Sequence, residues 1–121
     1  MNSPKVKICG ISNIEILKTL ISLDLDFIGF IFYSKSPRYI DTKFLQSIED
    51  LDFKNSRPVC VYVNADEDYI YETSSYFNNP ILQFHGDEKN NFCESFGLDY
   101  WKAIRVKDKE DLETILSLIH I

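Results

Sequence analysis

Glycine and proline are scarce, at four each in 121 residues, which excludes a low-complexity or linker-like chain. Cysteine is scarcer still. The three present, Cys9, Cys60 and Cys93, are odd in number and widely spaced, so they form neither a disulfide framework nor a zinc-ligand pattern and read as reduced thiols. Lysine and arginine are outnumbered 13 to 19 by aspartate and glutamate and form no cluster, so no basic stripe for nucleic acid is present. No apolar run approaches the ~18 residues of a membrane span. The N-terminus lacks the apolar core and small-residue cleavage site of a secretory signal, so the expected setting is cytoplasmic, with no nucleic-acid or membrane partner.

What is present is a hydrophobic content of 45% with 26% charged residues, ordinary for one globular domain or part of one. The stretch Lys5-Val-Lys-Ile-Cys-Gly-Ile-Ser12 reads as a strand that Gly10 breaks, with Lys7 and Cys9 on one alternate face and Val6 and Ile8 on the other. A lysine on the face of a core strand is costly unless a polar cavity receives it, so this strand is expected to end in a site. An edge strand with a solvated lysine and a packed cysteine is the competing reading.

The rest of the chain repeats one pattern. Ser12-Asn-Ile-Glu15 has the form of a capping box and leads into a helix with Ile14, Leu17, Leu20 and Ile21 on one side. Phe27 to Phe32 is a continuous apolar run, as in a parallel strand covered on both faces. A polar loop carrying Lys35 and Arg38 follows, then a helix opened by Asp41-Thr42 with Phe44, Leu45, Ile48 and Leu51 as its apolar face. Val59 to Val63 is the third strand, the acidic run Asp66 to Asp68 starts the third helix, and Ile81 to Phe84 is the fourth strand. His85-Gly-Asp-Glu88 connects it to a helix with Phe92, Cys93 and Phe96; Tyr100 to Val106 is the fifth strand and Asp108 opens a last helix with Leu112 and Ile115.

About five βα units with parallel strands predict an α/β fold. Two architectures satisfy them: a complete flavodoxin-like doubly wound sheet, serving as a binding or signalling domain, or the first five units of a (β/α)₈ TIM barrel. Length favours the first. The polar residues favour the second, because Lys7 and Cys9, Arg38, Asn64, Gln83 and His85 fall at or beyond the C-terminal ends of several strands, where barrel sites are assembled. Cys60 and Cys93 read as core thiols, Trp101 as packing, and no group of residues suggests a metal site.

Lys7-Ile-Cys-Gly-Ile11 with Asn13, Gly29 to Tyr33 followed by Ser36 to Ile40, Val61 to Asn64, Leu82-Gln-Phe-His-Gly86 and Lys102-Ala103 together resemble the phosphoribosylanthranilate isomerase family of tryptophan biosynthesis. The resemblance implies a TIM barrel that isomerises N-(5-phosphoribosyl)anthranilate, an aldose-type phosphosugar, to 1-(2-carboxyphenylamino)-1-deoxyribulose 5-phosphate by an Amadori rearrangement, with no metal or organic cofactor. It makes Cys9 the catalytic base, Arg38 the residue that meets the anthranilate end of the substrate, and Lys7, Gln83 and His85 substrate-binding residues of the pocket. The chemistry of the residues agrees for two of them. A thiolate can abstract a proton and a neighbouring lysine favours it; a guanidinium suits a carboxylate or an aromatic face. A histidine after a strand is also a common hydrogen-bonded loop anchor.

The same resemblance implies three further strands, an aspartate as general acid after the sixth, and phosphate-binding loops near the seventh and eighth. None has a counterpart here. The expectation is therefore an N-terminal part of a barrel over residues 1–115, inactive by itself, with unpaired first and fifth strand edges and poor solubility. Residues 116–121, Leu-Ser-Leu-Ile-His-Ile, read as a translated sequencing adapter, outside the fold. A non-catalytic half-barrel that pairs with another chain is the remaining alternative.

Overall fold

A computed structural model of the chain describes residues 4–104. Its elements alternate: β1 (Lys7–Cys9), α1 (Ile14–Ser22), β2 (Phe27–Ile31), α2 (Thr42–Ser47), β3 (Arg57–Tyr62), α3 (Glu67–Ser74), β4 (Ile81–Phe84), α4 (Asn90–Glu94) and β5 (Tyr100–Lys102). The helix expected from Asp108, the end of the fifth strand at Val106, and the boundary between residues 115 and 116 lie outside the described residues.

All five strands are parallel and lie in chain order, β1-β2-β3-β4-β5. A flavodoxin-like sheet would place β1 between β2 and β3, so that alternative is corrected; consecutive order is the order of a (β/α)₈ barrel wall. The register sets two faces. Val59, Val61 and Ile81 pack with Cys9, Phe27 and Ile31 on the face away from the helices. Ile28, Phe30, Cys60, Tyr62, Leu82 and Phe84 point the other way and are sealed by Leu17 and Ile21 of α1, Leu45 of α2, Ile70 of α3 and Cys93 of α4. Each fully buried side chain of this kind contributes roughly 1.5–3 kcal/mol, which is why helices of only five to nine residues hold against the sheet. Buried polar groups are paired: the Thr73 hydroxyl donates to Tyr69 O at 2.7 Å, so its oxygen accepts from Tyr62 Oη at 2.7 Å.

Three local expectations need correction. The cap of α1 is Asn13, whose Oδ1 accepts from Glu15 N at 2.8 Å and Ile16 N at 3.0 Å, and not Ser12. Gly10 N and Ile11 N both donate to Gly29 O, and Ile11 is buried, so the chain stays fastened to β2 one residue too long for a cap at Ser12. β3 begins at Arg57, before the proline. Arg57 N donates to Asp26 O on the β2 side, leaving Pro58 facing β4 below the first β3–β4 pair, Val59↔Ile81, where no donor is needed. Val6 and Ile8, read as part of a buried strand, are 41% and 37% exposed, because among the described residues β1 has a helix on one flank only.

The two ends of the strands differ in chemistry. At the N-terminal end Arg57 donates to Asn79 O, Asn79 Oδ1 and Asp99 Oδ2, and lines a broad depression of about 940 Å³ between the segment from Leu51 to Pro58 and the segment from Ser75 to Asn79. None of the residues singled out for chemistry lines it, in keeping with the stabilising role of that end in βα barrels.

Candidate active site at the C-terminal ends of the strands

Cys9 closes β1 and pairs in register with Gly29 of β2. Glycine inside an otherwise apolar strand marks a close approach, and here the approach is by two side chains. The point a Cβ would occupy on Gly29 lies 2.9 Å from Cys9 Sγ and 3.1 Å from Lys7 Cε. The thiol and the lysine stem therefore lie together across β2, on the face away from the helices. Cys9 is half-buried, whereas Cys60 and Cys93 are fully buried and burial pushes both thiols up, away from the reactive thiolate form.

Arg38 reaches the same place from the loop after β2. That loop turns on Ser36, whose Oγ accepts from Arg38 N at 3.2 Å, and returns through Ile40 N to Ile31 O at 3.1 Å. The Arg38 side chain then lies flat on Gly10: its Cδ, Nε and Nη1 are 2.8, 2.9 and 2.9 Å from where a Cβ would stand, and Gly10 has φ +85°. Any side chain at position 10 would be strained and would displace the guanidinium. The residue after the candidate base is thus the floor for the candidate anion ligand.

Lys7 extends over the open face, with its ammonium 5.7 Å from the Trp101 ring centroid, and donates to Gln83 Oε1 of β4. Gln83 Nε2 is 2.6 Å from His85 Nε2, and His85 N donates to Tyr62 O. Trp101, expected only to pack, also meets Phe27 edge-on at 5.0 Å and so forms part of this face. Cys9 ends β1, Arg38 follows β2, and Gln83 and His85 stand at the end of β4. Lys7, expected at a C-terminal strand end, instead opens β1 in register with Phe27 and so with Arg57, and joins the group only because its long side chain reaches Gln83. No cluster of three or more His, Cys, Asp or Glu residues among the described residues could hold a metal ion.

The family model for N-(5'-phosphoribosyl)anthranilate (PRA) isomerase matches residues 6–120. The chain belongs to the phosphoribosylanthranilate isomerase family. It is 43% identical over 108 residues to the N-(5'-phosphoribosyl)anthranilate isomerase of Nitrosomonas europaea, covering 89% of this chain and 51% of that protein. The crystal structure of phosphoribosyl anthranilate isomerase from Thermotoga maritima superposes with TM-score 0.78 at 34% identity, covering 93% of this chain and 56% of that one. A phosphoribosyl anthranilate isomerase solved in complex with reduced 1-(o-carboxyphenylamino)-1-deoxyribulose 5-phosphate matches equally, with TM-score 0.78 and 34% identity over 93% of this chain and 59% of that one. The chain spans about half the length of the relatives it matches.

For this family member the residue that sequence reasoning passed over is Glu88. Its side chain is 3% exposed, and its carboxylate accepts from Gly86 N and Asn64 N at 2.8 Å each and from Lys102 Nζ at 3.1 Å. Lys102 Nζ also donates to Gly86 O at 3.0 Å, and Asn64 Oδ1 accepts from Asp87 N at 2.8 Å. One carboxylate thus fastens the ends of β3, β4 and β5 and holds the loop that carries His85. Glu88 and Asp87 are adjacent carboxylates, and nothing in their spacing distinguishes one from the other.

Proposed function

We propose that this chain supplies the base-bearing side of an enzyme of tryptophan biosynthesis that isomerises N-(5-phosphoribosyl)anthranilate to 1-(2-carboxyphenylamino)-1-deoxyribulose 5-phosphate. Cys9 takes the C2′ proton, Arg38 holds the anthranilate carboxylate, and Lys7, Gln83 and His85 line the pocket. The observation that carries this reading is the convergence of Cys9 and Arg38, from two different βα units, on the Gly10 turn. A base beside an anion ligand at the C-terminal end of barrel strands is what removal of a proton from an anchored aromatic amino sugar requires. The cytoplasm is the setting we assign to it.

A polypeptide limited to these 121 residues is proposed to turn over negligibly, since the resemblance puts the general acid and the phosphate-holding loops in the half of the relatives that this chain does not span. The test is a chimera that joins residues 1–104 to the remaining C-terminal portion of the Nitrosomonas europaea isomerase. Isomerase turnover by the chimera, with none from the 121-residue polypeptide, is the expected result. A folded chimera without turnover beside an active parent enzyme would refute the proposal.

A further inference from the structure

Lys7 and Gln83 belong to strands separated by β2 and β3, yet their side chains meet across the open face. The chemistry of that contact leaves one arrangement. An ammonium has donors only, so the side-chain oxygen of Gln83 must face Lys7 and the amide NH₂ must face His85. An amide NH₂ can only donate. His85 Nε2, 2.6 Å away, must therefore accept and cannot carry a proton.

We propose that Gln83 is a positioning residue that passes the polarity of the charged Lys7 to His85 and fixes it as the neutral imidazole protonated on Nδ1. Lys7 is kept from leaving Gln83 by the Trp101 ring beneath its ammonium. A proton on His85 Nε2 would compete with Lys7 for the single amide oxygen, so the charge on one residue opposes the charge on the other. The consequence for catalysis rests on the isomerase reading: His85 then enters the pocket as a neutral group and is not available as an imidazolium acid through Nε2. The assignment of the tautomer does not rest on that reading.

The two histidines of the chain are His85 and His120, so a ¹⁵N-labelled chain carrying His120→Gln reports on His85 alone in a two-bond ¹H–¹⁵N spectrum of the imidazole. Above the ordinary titration range of histidine, Nε2 is expected at a pyridine-type shift and Nδ1 at a pyrrole-type shift. Adding Gln83→Glu presents two acceptor oxygens, one to Lys7 and one to His85, so the proton should move to Nε2 and the two shifts exchange. Adding Lys7→Met frees the amide to turn and should give intermediate shifts. A protonated Nε2 in the Gln83 chain overturns the proposal, with or without a folded variant to compare. So does a spectrum that Gln83→Glu leaves unchanged. Because no substrate is present, an inactive chimera together with the exchanged pattern would sink the isomerase reading and leave this one standing.

Discussion

Replacing Cys9 with alanine in the chimera should lower kcat by roughly 10²–10⁴-fold, the usual effect of deleting a general base, while KM changes little. The reason lies in where the thiol sits. Cys9 Sγ lies over Gly29 beside the Lys7 stem, at the half-buried edge of the small apolar cluster of Val59, Val61 and Ile81, so its loss hollows out no buried core. Sγ contributes to the packing of Val59, Val61 and Ile81 from the edge only, so the denaturation midpoint should move far less than the rate. Steady-state kinetics of the two chimeras, with a urea titration of each, separate these effects. A Cys9→Ala chimera retaining more than a tenth of the parent kcat would remove Cys9 from the chemistry. A loss confined to KM would do the same, since a base acts on the transition state and not on uniform binding.

The second large effect is on stability. Glu88→Ala should destabilise the described fold by roughly 3 kcal/mol, the low end for breaking a buried ion pair, because Lys102 is still 17% exposed and is partly rescued by water. The alanine also leaves Asn64 N and Gly86 N without the acceptor each now has. Asp99→Ala is the comparison. It breaks the Arg57 pair at 2.8 Å at the other end of the strands, but Asp99 is 73% exposed, so the loss should stay within about 1 kcal/mol. Urea midpoints of the two variants in the same chain measure the difference. Equal midpoints would mean that the Glu88 carboxylate does not fasten the three strand ends.

Much of this architecture was legible because it is written in periodicity. The apolar run around Phe30, broken only by Gly29, and the helical spacing of Leu17 and Ile21 state which faces are covered, and burial follows them. Asp41 and Asp66 cap α2 and α3 as their position before an apolar face predicts, with Phe44 N and Tyr69 N as donors. Ser12 misled because a capping box is a local signal, and the tie of Gly10 and Ile11 to Gly29 O is not local. The same distinction governs the site. The alternation of Lys7 and Cys9 placed both on one face, but the sharing of Gly29 by their side chains depends on the β1–β2 register. Gly29 did carry a signal, as a glycine interrupting Phe27 to Phe32, and its meaning was a place where neighbouring side chains cross. Glu88 carried none, since its partners come from three strand ends that only the fold brings together.

The central claim is that the turn at Gly10, with Cys9 on one side and Arg38 over it, is where substrate sits. Alkylation of Cys9 in the chimera by iodoacetamide, read by mass spectrometry with and without reduced 1-(o-carboxyphenylamino)-1-deoxyribulose 5-phosphate, tests it most directly. Cys60 and Cys93, buried with their thiols held protonated, should stay unmodified in the folded protein and serve as internal controls. The analogue, at a concentration that inhibits the chimera completely, should protect Cys9. Alkylation at an unchanged rate under complete inhibition would place the substrate elsewhere and contradict it.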